Sequence, residues 1–344
     1  MQMIDHDLSL KLSRLSFIAA VMVMLQHAYA PFWSGTIETV LCHGLVIWDV
    51  PYFFIAAGFL LFKDWDGWDF KWYKRKVLGR VRSLLVPYVF WTAWGIVFGA
   101  LAVYVGIRHN LFHFDDFGWW LSATGISEAS MFNGYLWFIR RLFLFVLISP
   151  VIPLLARRVG WWLVPVFMAM YIFNVKSAGS WGNLSFFYFG ACCALKSSAP
   201  LRTKTGKTFF AFAAVAFAAS LFARYSTLNA ESLFLQRTGE LVAIVSGLVF
   251  FNVLYGCLPE RFFVFDKLSS FSFVIYCMHC PIYPFLKTII KQSMVGVGGL
   301  FVSFVIALVL SVAIAAGMKC LCPHLYSIVS GGRGSRHEGS SRNN

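Results

Sequence analysis

The chain has 344 residues, of which 59% are hydrophobic and 13% are charged, and its formal net charge is +14. With a mean hydropathy of +0.71, this composition excludes an ordinary soluble globular protein. It is typical of a chain that consists mostly of membrane-spanning helices.

About ten apolar stretches approach the roughly 20 residues that a helix needs to cross a bilayer. In chain order they lie at 13–32, 44–62, 84–106, 134–156, 160–175, 181–195, 208–225, 238–257, 268–290 and 296–319. The connections between them are too short for a soluble domain. We therefore predict an all-α fold, a polytopic membrane helical bundle that forms one domain over 1–330. A disordered polar tail is predicted over 331–344.

Lysine and arginine predict which side of the membrane each connection occupies. With the N-terminus in the cytoplasm, the inside segments hold 21 of these residues and the outside segments hold 6. This asymmetry follows the positive-inside rule and accounts for the net charge without nucleic acid. It predicts a multi-pass protein of the cell (inner or plasma) membrane. The basic stretch 71–82 mainly determines topology, and it could also contact lipid head groups or the phosphates of a cytoplasmic donor.

His27 is the first candidate functional residue, near the outer end of the first span. An ionisable side chain in hydrocarbon is costly, so it usually faces a cavity or a partner. Histidine can take and return a proton near neutral pH, which suits general base catalysis. A neutral histidine that is hydrogen-bonded between helices is the alternative.

Four further polar residues fall at a similar depth on the predicted topology: Asp49, Arg140, Arg141 and His279. Burying each of them separately would cost several kcal/mol, so mutual pairing is the cheaper arrangement. Arg140 and Arg141 are about 100° apart on a helix and cannot point the same way. One of them is expected to pair with Asp49 or with an acidic ligand.

The ninth span carries a polar stripe, formed by Ser272, Tyr276, His279 and Tyr283 on one helical face. Such a stripe either lines a watery cavity or joins helices by hydrogen bonds, and the pattern fits both equally. Pro281 and Pro284 are expected to interrupt this helix just beyond His279. Cys277, His279 and Cys280 superficially resemble a metal motif, but zinc needs four converging ligands, so we predict neither a metal nor a bound cofactor.

Five blocks in order resemble the integral-membrane acyltransferase family 3. They are Leu15–Ala20 running to His27, Val50–Phe59, Arg80–Tyr88, Tyr135–Arg140 with Ser149-Pro150, and Ser272–His279. The resemblance implies transfer of an acyl group, often acetyl from acetyl-CoA as co-substrate, to an extracytoplasmic sugar or lipid-linked glycan. His27 matches the family's first-span histidine. The family commonly has an arginine eleven residues earlier, where this chain has Ser16.

The leading hypothesis is a membrane-bound O-acyltransferase, with His27 as the general base for an acceptor hydroxyl. Asp49 would orient the imidazole or pair with an arginine, and Arg140 or Arg141 would stabilise the oxyanion or grip an acidic acceptor. Further candidates are Trp137, Tyr276 and His279 for acceptor binding, and Arg80 and Arg82 for donor binding.

Two other functions fit the same residues. Buried charges and proline-containing helices suit a transporter or exporter of a glycan or organic anion. A family-like protein that acts as a partner or sensor is the third possibility. The sequence does not predict an oligomeric state.

Overall fold

The computed structural model describes residues 6–28, 35–107, 116–124, 134–175, 178–202, 206–259, 266–291 and 296–332. Every regular element in these ranges is helical. The helices are α1 (His6–Ala28), α2 (Thr36–Val40), α3 (Asp49–Phe62), α4 (Phe70–Arg80), α5 (Val86–Tyr104), α6 (Phe117–Thr124), α7 (Trp137–Leu147), α8 (Val151–Arg158), α9 (Leu163–Ile172), α10 (Ala178–Leu195), α11 (Lys207–Thr227), α12 (Leu233–Cys257), α13 (Asp266–Ser269), α14 (Ser272–Lys291), α15 (Val297–Leu321) and α16 (Pro323–Val329). The prediction of an all-α membrane fold is confirmed. Residues 333–344 of the predicted tail lie outside the described ranges.

Among the residues that the structure describes, seven helices are long and apolar enough to cross a membrane, and an eighth is added if one bent pair counts as a span. The seven are Asp7–Ala28, Thr36–Phe62, Phe70–Tyr104, Lys207–Thr227, Leu233–Cys257, Ser272–Ile290 and Val297–Leu321. The predicted fourth span is the bent pair, α7 with α8, whose axes differ by 72°. The predicted fifth span is a shorter apolar helix, Gly160–Ile172, and the sixth, now α10, does not reach the required hydropathy. The count of about ten is therefore not confirmed.

The helix Phe70–Tyr104 is longer than its predicted span, because α4, a π-helical turn at Val81–Leu85 and α5 run on without a break. Its 35 residues measure about 52 Å at 1.5 Å per residue, against about 30 Å of hydrocarbon. The extra length of the helix contains the basic stretch 71–82, which the sequence predicted to lie in a connection between two spans.

The described helices cluster into two compact units. The first combines Met1–Met22, Thr39–Lys76 and Phe145–Ser269, and the second combines Val23–Glu38, Val77–Leu144 and Ser270–Asn344. In the first unit, Trp48 is fully buried and stacks on Phe251, with 4.2 Å between the ring centroids. Buried leucines from the start of α1 pack into the same core.

The closest helix contact in the first unit joins α3 to α10. A Cβ atom at Gly58 would lie 2.0 Å from the carbonyl oxygen of Phe187, and one at Gly190 would lie 2.0 Å from that of Ile55. Small residues let helix backbones approach in this way. The packing explains why α10 is largely buried although its polar residues lower its hydropathy.

In the second unit, α16 packs beside α5. The Trp91 indole donates a hydrogen bond to the carbonyl of Val329 over 3.0 Å. Gly331, with φ of +65°, brings its backbone against the carbonyl of Ser83 in the π-helical turn. Pro87 lies four residues after Ser83 and has no N–H to offer that carbonyl, which is the physical reason for the wider turn.

Candidate active site

His27 lies in the last turn of α1 and is partly buried. Its Nδ1 atom is 2.7 Å from the carbonyl oxygen of Val23, one turn earlier in the same helix. A carbonyl oxygen can only accept a hydrogen bond, so in the neutral ring Nδ1 carries the hydrogen. The lone pair is then on Nε2, the form in which an imidazole acts as a base. The Val23 carbonyl thus favours this tautomer, and the role predicted for Asp49 stays a prediction.

Tyr135 is a candidate site residue that the sequence did not single out. It lies in the 3₁₀ turn Gly134–Leu136, immediately before α7. Its ring centroid is 3.6 Å from that of His27, a direct contact between the two rings. The only sequence signal was its place at the head of the Tyr135–Arg140 block, because a residue in a short turn has no helical phase to reveal its direction.

Two tyrosines of the polar stripe on α14 form hydrogen bonds to other elements, which is one of the two predicted alternatives for the stripe. The Tyr276 hydroxyl donates to the carbonyl of Tyr135, and the Tyr283 hydroxyl donates to the carbonyl of Met24 over 2.7 Å. These bonds attach α14 to the turn before α7 and to α1. The helix also continues through Pro281 and Pro284, so the expected interruption is not found. Helices in lipid tolerate proline where neighbouring groups satisfy the freed carbonyls.

His279 lies between the two tyrosines of the stripe and is fully buried. Its ring centroid is 5.3 Å from that of His27 and 5.6 Å from that of Tyr135. The rings of Tyr276 and Tyr283 each lie 6.1 Å away. The structure therefore brings together two of the predicted titratable residues in an aromatic surround. We call this group of five, His27, Tyr135, Tyr276, His279 and Tyr283, the two-histidine cluster.

Arg140, Arg141 and Trp137 all lie on α7 and are partly buried. The Arg141 guanidinium stands over the Trp137 ring, with 5.0 Å from its carbon to the ring centroid. This cation–π contact with a residue one turn earlier gives Arg141 a local partner within its own helix.

Asp49 belongs to the first unit, where it is the first residue of α3 and is 2% exposed. Its Oδ1 atom accepts a hydrogen bond from the backbone N–H of Val50, and its Oδ2 atom has no hydrogen-bond partner among the described residues. Ser16 and Arg14 are also in this unit. The Ser16 hydroxyl donates to the carbonyl of Leu12 over 2.7 Å, and an Arg14 nitrogen is 3.4 Å from the hydroxyl of Tyr255.

Arg80 and Arg82 flank the start of the π-helical turn in the second unit. Arg80 is partly buried and Arg82 is exposed, so the Arg82 side chain is the more accessible of the two. Their predicted role toward a donor stays a prediction.

A small groove of about 10 Å³ lies along α5 and α14 in the second unit. It is lined by Gly95, Phe98, Gly99, Ala102, Cys280, Pro281, Pro284 and Phe285. The lining is apolar apart from the thiol of Cys280, which directly follows His279 in the chain. No group of three or more His, Cys, Asp or Glu side chains within the described ranges could hold a metal ion.

The apolar helices define a multi-pass membrane protein, and the two-histidine cluster is its candidate catalytic centre. Residues 14–318 match the family described as "Acyltransferase domain", and this chain belongs to that family. No curated protein and no solved structure matches this chain. The resemblance drawn from the five sequence blocks is thus confirmed, and the protein is an acyltransferase that transfers groups other than amino-acyl groups.

Proposed function

We propose that the protein transfers an acyl group, acetyl from acetyl-CoA, to a hydroxyl of a cell-surface or lipid-linked glycan, with His27 as the general base. The observation that supports this most is the contact between Nδ1 of His27 and the carbonyl of Val23. It holds the ring in the tautomer whose Nε2 can accept a proton. The proposed location is the cell (inner or plasma) membrane, in keeping with the charge asymmetry of the connections.

In this mechanism Nε2 of His27 takes the proton from the acceptor hydroxyl while the hydroxyl oxygen attacks the thioester carbonyl carbon. The carbon–sulfur bond of the tetrahedral intermediate then breaks, and the electron pair leaves with sulfur. The imidazolium returns its proton to that thiolate, giving free CoA and the acylated acceptor. The base is thereby regenerated without any external proton source.

Arg140 and Arg141 are the proposed groups for the negative charge that develops on the carbonyl oxygen, since a fixed guanidinium in a site of low dielectric stabilises such charge. The cation–π contact with Trp137 holds the Arg141 guanidinium in place. Arg80 and Arg82 are the proposed contacts for the donor's phosphates, and Asp49 is the proposed partner of a cation. Trp137, Tyr276 and His279 are the proposed acceptor contacts.

The test measures label transfer from radiolabelled acetyl-CoA in isolated membranes that contain the wild type or His27→Ala at matched abundance. General base catalysis contributes about 10²- to 10⁴-fold, so the variant should retain 1% of the activity or less. His324→Ala is the matched control, because His324 is exposed on α16 and lies outside the candidate spans. Equal labelling by the wild type and His27→Ala would overturn the assignment of the base.

A further inference from the structure

The imidazole of His279 has one nitrogen engaged and one without a partner. Nδ1 is 3.3 Å from the carbonyl oxygen of Ile275, one turn earlier in α14. That carbonyl can only accept, so Nδ1 carries the hydrogen and Nε2 carries a lone pair. Nε2 is buried and has no hydrogen-bond partner among the described residues.

The phenols of Tyr276 and Tyr283 do not donate a hydrogen bond to this Nε2 atom. A phenol has a single hydrogen to donate. Tyr276 gives its hydrogen to the carbonyl of Tyr135, and Tyr283 gives its hydrogen to that of Met24. A buried acceptor without a donor is unfavourable, so a ligand that brings a donor to Nε2 gains binding free energy.

The chemistry of such a ligand is restricted by the lone pair. Phosphate and carboxylate oxygens in their ionised forms have no hydrogen to give, so an anionic group does not satisfy Nε2. A hydroxyl group does. Aromatic rings border the same place, and they offer apolar faces to the C–H groups of a sugar ring.

In His27, too, Nδ1 faces a carbonyl of its own helix and carries the hydrogen in the neutral ring. The two ring centroids are 5.3 Å apart, and the ring of Tyr135 contacts or approaches both. The cluster thus holds two imidazoles with the same tautomer, within reach of one small polyhydroxyl ligand.

We infer that Nε2 of His279 accepts a hydrogen bond from a second hydroxyl of the acceptor, adjacent to the hydroxyl that His27 deprotonates. This inference rests on the proposed function and narrows its acceptor to a vicinal diol, as found on a sugar ring. His279 then fixes which of the two hydroxyls reaches His27. It is a substrate-binding residue whose effect appears in the position of the transferred group as well as in the rate.

The experiment compares wild type, His279→Gln and His279→Asn in isolated membranes, with labelled acetyl-CoA as the probe. The two variants are matched amides that differ in reach, because the oxygen of glutamine extends to the region of Nε2 and that of asparagine does not. After an acid quench that prevents acyl migration, the labelled hydroxyl is located by NMR and mass spectrometry. Protein abundance and the thermal unfolding midpoint are measured for each variant.

We expect wild type and His279→Gln to label one hydroxyl of an adjacent pair. His279→Asn should transfer label at least tenfold more slowly, equivalent to about 1.4 kcal/mol, and distribute it over both hydroxyls. His279→Asn with wild-type rate and position would overturn the inference, as would an acceptor with no neighbouring hydroxyl. If the wild type itself transfers no label, the proposed function fails, and this result is distinct from the other two.

Discussion

The rings of His27 and Tyr135 lie 3.6 Å apart, centroid to centroid, at an interplanar angle of 60°. His27 comes from the end of α1, and Tyr135 comes from the 3₁₀ turn that precedes α7. The contact thus restrains the imidazole from an element outside its own helix. The Val23 carbonyl restrains the ring through Nδ1, so two independent contacts define its orientation.

Replacing Tyr135 should therefore lower activity by loosening His27. Tyr135→Leu removes the ring, and we expect acyl transfer to fall at least tenfold, since small displacements of a reacting group reduce rates strongly. Tyr135→Phe keeps the ring and should retain activity within about threefold of the wild type. Initial rates of label transfer at matched protein abundance measure both. Comparable losses in the two variants would assign the effect to the hydroxyl and not to the ring.

The approach of α3 to α10 predicts a large effect on stability from a single methyl group. Gly58→Ala and Gly190→Ala each place a Cβ atom 2.0 Å from a backbone carbonyl oxygen. The helices must move apart, and we expect the free energy of unfolding to fall by about 3 kcal/mol. Gly317→Ala is the control, because a Cβ atom there has no neighbour within 4 Å. It should be neutral or stabilising, since alanine is the better helix former by about 1 kcal/mol. The midpoint of thermal unfolding in detergent ranks the three variants.

The contact of Gly331 with the π-helical turn predicts a second destabilising substitution. Gly331→Ala combines the cost of a positive φ with a Cβ atom 2.4 Å from the oxygen of Ser83. Gly106→Ala has a similar φ of +74° and open space around its Cβ, so it carries the backbone cost alone. We expect Gly106→Ala to lose about 1 kcal/mol and Gly331→Ala to lose at least about 1 kcal/mol more. Equal midpoints for the two variants would show that the clash is relieved without cost.

The buried phenol of Tyr326 leads us to expect that the protein loses stability as the pH rises above about 10. Tyr326 lies on α16, outside the candidate spans, and its hydroxyl is 3.2 Å from the carbonyl of Ser270. Burial raises the pKa of the Tyr326 phenol to about 12. In the unfolded chain a tyrosine pKa is about 10, so the unfolded state loses its proton first as the pH rises. The stabilisation is complete below about pH 10 and is lost as the pH approaches 12.

Tyr326→Phe removes this titrating group and tests its contribution. At neutral pH the variant should be less stable by about 1 kcal/mol, because the hydrogen bond to Ser270 is lost. Between pH 10 and 12 its stability should fall less steeply than that of the wild type. Parallel pH profiles for the two proteins would contradict this assignment.

The sequence predicted those parts of the molecule that depend on composition and on helical phase. Apolar length located the seven clear spans, and the phase of α14 placed Tyr276, His279 and Tyr283 on one face. The span predicted at 181–195 is a helix, α10, but its polar residues lower its hydropathy and its place as a span is not confirmed; close backbone packing through Gly190 accompanies them. Neither Tyr135 nor the Val23 carbonyl could be predicted as a partner of His27, because both contacts depend on local backbone geometry that residue type does not encode.

Two tethers hold α14 on either side of His279. Tyr276 lies three residues before His279 and bonds to the turn before α7. Tyr283 lies four residues after His279 and bonds to α1. The hydrogen bond in each tether contributes about 1 kcal/mol net, which is small beside the packing of the helices. We expect that either hydrogen bond can break while the bundle stays folded. The His279 imidazole then moves out of its position relative to His27. The geometry of the proposed site thus depends on local contacts that are weak beside the helix packing, and we expect gentle heating to lower the activity before the helices melt.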